Sequence, residues 1–367
     1  MIRKIKTLTL NLIAAINIAV VILMVAVGYS DHLHPGAHPW LSCAGMFFPI
    51  LPLINLGFLV FWVLFSWRRM LVPIVGFVLA YIPIRIYMPL HFSQEPPPGS
   101  LLVVSYNVAG YGGNYLTHFA VDSILDYVTR LNVDIVCLQE DMNGTRHDVM
   151  SRFAEHYPYN DTTRVSDVTN KCINSVGIHT RFPILRKEVI DYGSFSNGSV
   201  AYYLLVQGDT VLVINNHLES TNLSANDRQR YQEMIRGDME RDTAKAETSA
   251  LVDKLGQAMA RRAKHVDEIH RYIEAHRRYP MLVCGDFNDT PISYARHKMA
   301  EGLTDCFVES GNGLGISFNQ HGFNFRIDHL MCSHHFTPYN CKIDNKMRVS
   351  DHYPLLCWLK MAENDPK

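Results

Sequence analysis

The chain has 367 residues, 48% of them hydrophobic, with 34 Lys and Arg against 35 Asp and Glu and a formal net charge of −1. That length accommodates one large domain plus an extra module, and the apolar share exceeds what a water-soluble domain alone carries. The surplus is at the front: residues 1–100 hold six of the basic residues (Arg3, Lys4, Lys6, Arg68, Arg69, Arg85) and two of the acids (Asp31, Glu95), so residues 101–367 keep 28 basic and 33 acidic, a net of −5. A domain of that sign excludes a global basic footprint for nucleic acid and leaves only a local basic groove open.

Leu8 to Val27 carries no charge and follows Arg3, Lys4 and Lys6. About 20 residues at about 1.5 Å each reach across a hydrocarbon core of roughly 30 Å, and the run is longer than the apolar stretch of a cleaved leader. Met46–Trp67 and Leu71–Leu90 read as second and third spans; Pro49, Pro52, Pro73 and Pro83 are tolerable in membrane helices, and Arg85 can snorkel. Residues 1–92 therefore predict an anchor of three transmembrane helices (about 8–27, 46–67 and 71–90) in the lipid bilayer. Asp31 to Trp40 has no Lys or Arg, whereas Arg68 and Arg69 separate the second and third spans. The positive-inside rule then puts the N-terminus in the cytoplasm and everything after Leu90 outside.

Gln94 to Ser100, within a Pro-rich linker over 93–100, predicts a stiff spacer that lifts the next domain off the bilayer. From Leu101 to about 360, strand and helix patterns alternate, with residues 361–367 left as a tail. LLVVSYNV is followed by an amphipathic run from Leu116 to Leu131, then VDIVCLQE and a helix around Asp148 to His156. VGIHTRFPI, AYYLLVQG and VLVINNHL read as consecutive strands, the last pair turning at Gly208 and Asp209. An insertion over about 224–278 interleaves charges with apolar residues at helical spacing, which predicts two or three solvated helices. Cys137, Cys284 and Cys357 fall in apolar strand-like runs, and Cys43 lies at the membrane. Cys172, Cys306, Cys332 and Cys341 show no CxxC spacing.

The chemistry collects where these runs stop. MLVCGDFN delivers Asp286 and Asn288 at a strand end, and other runs deliver Asn107, Glu140, His217 and Asp328, with Asp351 and His352 following in SDHYPL. Any one of these is an ordinary turn, cap or core residue; together they form an oxygen- and imidazole-rich set where α/β folds keep their sites. Glu140 and Asp351 are hard oxygen ligands and Asn107 offers a neutral carbonyl, a set suited to Mg²⁺ or Mn²⁺. Asp328 can orient the His352 imidazole. Asp286 with Asn288 can position and deprotonate a water for in-line attack on phosphorus, while His217 and the metal neutralise charge on the non-bridging oxygens.

SYNV, LQE, NNHLES, GDFND, RIDH and SDHYPL, in this order over Leu101–Leu359, resemble the endonuclease/exonuclease/phosphatase superfamily of DNase I-like proteins. That group includes pancreatic-type DNases, abasic-site endonucleases, neutral sphingomyelinases and inositol polyphosphate 5-phosphatases. The resemblance implies an α/β fold, a four-layer α/β/β/α sandwich, and metal-dependent hydrolysis of a phosphoester. It makes Glu140 the principal metal ligand with Asn107 beside it and Asp351 in the same cluster. Asp286 and Asn288 align nucleophile and phosphate, His217 and His352 are the paired histidines, and Asp328 partners a histidine. Arg181 in HTRFP matches a position that reaches a substrate phosphate in some members. The long insertion departs from the short connection of the DNases. Because one catalytic set serves many substrates, surroundings must decide among them. The anchor and the acidic outer domain favour a lipid-linked or small phosphoester over genomic DNA. The architecture also resembles membrane-anchored bacterial members of the superfamily that act on polyprenyl pyrophosphates, which implies hydrolysis of a phosphodiester or phosphate/pyrophosphate ester at a bacterial cell membrane, on the extracytoplasmic side. The alternatives are a nuclease and a non-catalytic receptor or scaffold.

Overall fold

The computed structural model describes residues 2–112, 118–141, 147–166, 174–194, 196–221, 225–236, 238–320 and 323–362. Cys172 lies outside them; Cys43, Cys137, Cys284, Cys306, Cys332, Cys341 and Cys357 are buried free thiols.

The chain opens with a helix over Ile2–Gly28 whose apolar side chains, among them Leu8, Leu12 and Ile22, face outward. Arg3–His32 is the one helix among the described residues that is long and apolar enough to cross a membrane by itself. The other two expected spans are each broken: Pro39–Phe47 meets Ile50–Phe65 at 51°, and Trp67–Leu79 meets Tyr81–Tyr87 at 60°. Proline explains the second bend. Pro83 has no N–H for the carbonyl of Leu79, and that oxygen instead accepts a hydrogen bond from Tyr29 Oη at 3.1 Å. Buried amides tie the helices together, with Trp62 Nε1 donating to Asn17 Oδ1 at 3.0 Å and Asn55 Nδ2 donating to the Pro73 carbonyl at 2.9 Å.

Beyond these N-terminal helices the described strands are β1 (Leu101–Asn107), β2 (Ile135–Gln139), β3 (Tyr159–Arg164), β4 (Ser175–Thr180), β5 (Ile184–Ile190), β6 (Gly198–Val206) and β7 (Asp209–His217). They continue as β8 (Met281–Asp286), β9 (Thr304–Asp305), β10 (Phe318–Gln320), β11 (Phe323–Phe325), β12 (Asp328–Cys332), β13 (Phe336–Ile343) and β14 (Leu355–Met361). One sheet runs β13-β14-β1-β2-β4-β3 and the other β5-β6-β7-β8-β12-β9, with β10 and β11 as a separate hairpin. Both sheets are mixed, since β1–β2 and β7–β8 pair in parallel and their other pairs are antiparallel.

Strand alternation divides the apolar side chains between two faces. Val103, Cys137, Ile178, Val213, Cys284 and Leu330 meet between the sheets. On the outer face of the first sheet Val104, Val136 and Leu138 pack against Ile124 and Val128 of the helix His118–Arg130 and Phe153 of His147–Ala154. On the outer face of the second, Ile214, Val283 and Met331 pack against Val266, Ile269 and Ile273. The result is helix, sheet, sheet, helix, the α/β sandwich that the family resemblance implies.

Two expectations change. The insertion forms helices over Ala225–Arg236 and Arg241–Ala275, but the second is not simply solvated: Leu255, Met259, Arg262, Val266, Ile269 and Ile273 are buried along one face. The proline spacer does not lift the domain clear of the anchor either. Ser93 Oγ donates to Asn340 Oδ1 at 3.1 Å and Lys360 Nζ to the Pro98 carbonyl at 3.0 Å, so the linker lies on the domain. The N-terminal helical region docks too, since Cys43 and Met46 pack with Leu251, Leu255 and Met259 of the insertion helix. Gly45 sits so close to the Ile292 carbonyl that a Cβ there would lie 2.0 Å from the oxygen.

Candidate active site

The site is built at one edge of the sandwich by strand register. His217 of β7 is the cross-strand partner of Asp286 in β8, and Asp286 is the partner of Asp328 in β12. These three share the parity of Val213, Cys284 and Leu330, so they point between the sheets, one row beyond the inter-sheet core. Asn107 ends β1 opposite Gln139 with the parity of Val103, placing it across the gap in the other sheet. Asp328 opens its strand rather than closing it. Because β12 runs antiparallel to β8, that still brings it to the same edge. Gly285 makes the junction possible: its φ is +135°, and a Cβ would lie 1.9 Å from the Asn216 carbonyl oxygen. Asn288 and Glu140 both turn the chain with φ of +52°.

Asp286 is the hub. Its Oδ1 accepts from the Asn288 backbone N–H at 2.8 Å and its Oδ2 from Asn107 Nδ2 at 3.0 Å. Imidazoles flank that second oxygen, His217 Nε2 at 3.7 Å and His352 Nε2 at 3.6 Å. Asp328 Oδ2 lies 2.8 Å from His352 Nδ1, and both side chains are buried. On the far side His217 Nε2 is 3.8 Å from Glu140 Oε1, while its Nδ1 faces the amide of Asn174, 3.0 Å from Nδ2. Asn288 Nδ2 donates to the Leu218 carbonyl at 3.0 Å, fastening the Asp286 loop to the His217 loop.

The charges are strongly coupled. Burial alone would lower the His352 imidazolium, but Asp328 and then Asp286 outweigh it and lift its pKa to about 10. His352 is thus a cation at neutral pH. His217 goes the other way, lowered chiefly by burial despite the nearby carboxylate of Asp286. The Asp286 carboxyl is raised by burial, with Asp328 adding to it, and Glu140 is raised by burial against the opposing bond from Asn107.

Asn107, Glu140, His217, Asp286, Asn288, Asp328 and His352 are thus brought together, and Asp351 borders the same cavity of about 380 Å³. Arg181 is not. It follows β4, whose end pairs with the start of β2 (Ile135 opposite Thr180), so it lies at the opposite edge of the sheet. There its Nη2 donates to Asn132 Oδ1 at 2.7 Å. Asn107 also departs from expectation, because its Oδ1 accepts the Ala109 N–H at 3.0 Å and its NH₂ faces the carboxylates of Asp286 and Glu140. In this arrangement it orders the acids instead of offering them a carbonyl neighbour. Sequence reasoning missed Asn174, which has no signal before its strand, and Arg262, hidden among the charges of the insertion.

A divalent cation fits this donor set. Glu140, Asp286 and Asp351 supply hard oxygens, and the carboxyls of Glu140 and Asp286 are raised chiefly by burial. Asp328 Oδ1 is buried without a partner among the described residues, and donor atoms of Asp286, Asp328 and His352 lie within 4.8 Å of one another.

Acids, amides and paired histidines thus gather on one edge of a two-sheet α/β sandwich. The endonuclease/exonuclease/phosphatase family profile matches residues 104–352, more than half of the sequence, and the chain belongs to that family. Its members are generally divalent-metal-dependent hydrolases of phosphoesters. Residues 10–87 match a domain of unknown function, DUF8431. No curated protein matches the chain. Truncated TDP2 of Caenorhabditis elegans is similar in structure, with a TM-score of 0.50, 18% identity and coverage of 73% of this chain and 100% of that one. The human Nocturnin catalytic domain with bound sulfate aligns at 0.50 and 15%, covering 74% and 97%. D. rerio TDP2 complexed with a single-strand DNA product aligns at 0.50 and 15%, covering 72% and 100%. At such identities the likeness concerns the fold.

Proposed function

We propose that this chain is a membrane-anchored, divalent-metal-dependent phosphoesterase acting on lipid-linked or small phosphoesters. The observation that carries the reading is Asp286, held by Asn107 and Asn288 between the imidazoles of His217 and His352 at the floor of the cavity. A carboxyl raised above its usual range, with one oxygen fixed by the Asn288 N–H, is suited to take a proton from a water lined up on phosphorus. As the P–O bond to the leaving group breaks, charge grows on the non-bridging oxygens. His352, kept cationic by Asp328, and the imidazole of His217 meet that charge, while Asn288 holds the Asp286 loop in place. Glu140 and Asp351, with Asn107 ordering the acids, would hold Mg²⁺ or Mn²⁺, which supplies Lewis-acid polarisation of the phosphoryl oxygens.

The membrane part of the reading rests on the apolar Arg3–His32 helix, and on the two bent pairs each counting as one span, for three in all. Together with the positive-inside bias, this supports a cytoplasmic N-terminus and a catalytic domain on the outer side of a bacterial cell membrane. Met46 of the anchor borders the catalytic cavity, which favours a lipid-linked substrate. A nuclease reading draws on the DNA-bound D. rerio TDP2, but the net of −5 over residues 101–367 counts against it. The test is turnover by the purified full chain of a chromogenic phosphodiester and a phospholipid, with and without EDTA, beside Asp286→Asn. Activity that ignores both the chelator and the substitution would remove the proposal.

A further inference from the structure

The turn after the first helix is rich in imidazole. Asp31 to Pro39 reads DHLHPGAHP, three histidines with no Lys or Arg among them, and short histidine-rich tracts are candidate metal ligands. Its first two residues meet a third from the sandwich. Asp31 Oδ2 lies 3.3 Å from Nδ1 of His297, on the helix Tyr294–Met299, and Asp31 Oδ1 lies 3.9 Å from His32 Nε2. The two imidazoles lie against each other, their ring centroids 4.1 Å apart. One ligand atom from each of the three residues falls within 4.8 Å of the other two.

An aspartate paired with a histidinium is the plainer reading, and the distances count against it. A charge-assisted N–H···O bond closes to about 2.7–2.9 Å, which neither contact does. Asp31 is 3% exposed, yet its Oδ1, the oxygen facing His32, has no hydrogen-bond partner among the described residues. Burying a carboxylate oxygen is unfavourable unless a donor or a cation meets it. Two ligands held about 2.0–2.1 Å from one tetrahedral ion stand roughly 3.3 Å apart, so Asp31 and His297 already have the spacing. His32 needs to approach by only about 0.6 Å, and its side chain, 56% exposed, has the room.

We propose that Asp31, His32 and His297 bind a zinc ion that clips the N-terminal helices to the sandwich. Two imidazoles and a carboxylate suit zinc, whereas the hard oxygens of the catalytic cavity suit Mg²⁺. Water takes the fourth position on the open side of His32. None of the three residues lines that cavity, so the site stands independently of the hydrolase reading. What it joins is distant in sequence. His32 ends the turn Ser30–His32, and His297 belongs to the helix that follows the Asp286 loop, capped by Ser293 Oγ accepting the Arg296 N–H at 3.2 Å. Between loop and helix, Ile292 is buried in a cluster with Met24, Phe48 and Tyr87. The ion thus adds a polar clip beside an apolar contact, and a clip that closes so long a stretch of chain restricts the unfolded state most.

The experiment uses the full chain in detergent as wild type, His32→Gln, His297→Gln and, as a control at the cavity, Glu140→Gln. Each protein is stripped with a chelator, dialysed, and titrated with Zn²⁺ in excess Mg²⁺. Bound zinc is read by elemental analysis, affinity by competition with a chromophoric chelator, and stability by thermal melting. Wild type and E140Q should keep one equivalent of zinc and melt higher with it. H32Q and H297Q should bind about 100-fold more weakly, the share of one ligand in a zinc site, and lose the zinc-dependent rise. H32Q is the sharper variant, since an exposed side chain can be replaced without harm to the fold. Co²⁺ in place of zinc should give the intense visible bands of a tetrahedral site in wild type and not in H32Q. A wild type that retains no zinc overturns the proposal. So does zinc that H32Q keeps at wild-type affinity, or that E140Q alone releases, because the ion would then lie in the catalytic cavity.

Discussion

Asp328→Asn isolates the reasoning about His352. The two side chains are buried, with Nδ1 and Oδ2 2.8 Å apart, and the His352 pKa is lifted from 6.5 to about 10. A rise of that size corresponds to on the order of 5 kcal/mol favouring the cation, of which Asp286 supplies a part. Removing one partner of a buried pair costs about 3–5 kcal/mol, so the two routes agree in scale. The sign follows from linkage. A histidine whose folded value lies above its unfolded value contributes stability that is complete below pH 6.5 and disappears as pH rises through about 10. The melting difference between wild type and variant should therefore be largest in mild acid and vanish above that upper limit. In kcat/KM the alkaline limb should move from near pH 10 toward neutrality, since burial then dominates the imidazole, with a loss of about 10³- to 10⁴-fold at neutral pH as for other Asp–His pairs. The assays are pH–rate profiles at constant free Mg²⁺ and thermal melts across the same range. A variant with the wild-type profile and neutral rate within threefold refutes the electrostatic role given to Asp328.

Asp286→Asn should abolish turnover by about 10³-fold or more while raising the melting temperature in EDTA. Its carboxyl is raised on folding, so the ionised form carries a cost at neutral pH that is absent in acid and that the amide avoids; a lower melting temperature in EDTA would contradict this. EDTA should silence the wild type, with Mg²⁺ or Mn²⁺ restoring it, as steady-state rates would show. Gly285→Ala should destabilise the domain by about 1–3 kcal/mol from backbone strain alone, more once the 1.9 Å approach to the Asn216 carbonyl is included, and chemical unfolding measures it. Reporter fusions after Leu90 should read as external; a cytoplasmic signal there would reverse the orientation.

Much of the site was legible because a strand's parity and its end can be read along one chain. Asn107, His217 and Asp286 each close an apolar run, and alternation alone decides that they face the neighbouring sheet. What cannot be read that way is direction. Arg181 and Asn107 both sit just past apolar runs, but β4 runs antiparallel to β2 while β1 is parallel to it, so the two residues come out at opposite edges. The same ignorance of pairing left Asp328 assigned to a strand's end although it begins one, an error that the antiparallel register of β8 and β12 made harmless. Amide orientation was equally hidden: only the Ala109 N–H shows that Asn107 turns its NH₂ toward the acids.

The insertion shows a different limit. Leu255, Met259, Arg262, Val266, Ile269 and Ile273 keep a helical period, but acids and bases fill the positions between them, so the stripe reads as one side of a solvated helix until its partners are known. Those partners come from three regions of the chain: the sheet through Ile214 and Val283, the catalytic loops through Glu219 and Asp289, and the anchor through Cys43 and Met46. The insertion thus touches both the N-terminal helices and the cavity, which Leu255 and Met259 line. Loosening Cys43 and Met46 should alter substrate selectivity before it alters the chemistry at Asp286, which has its own hydrogen bonds to Asn107 and Asn288.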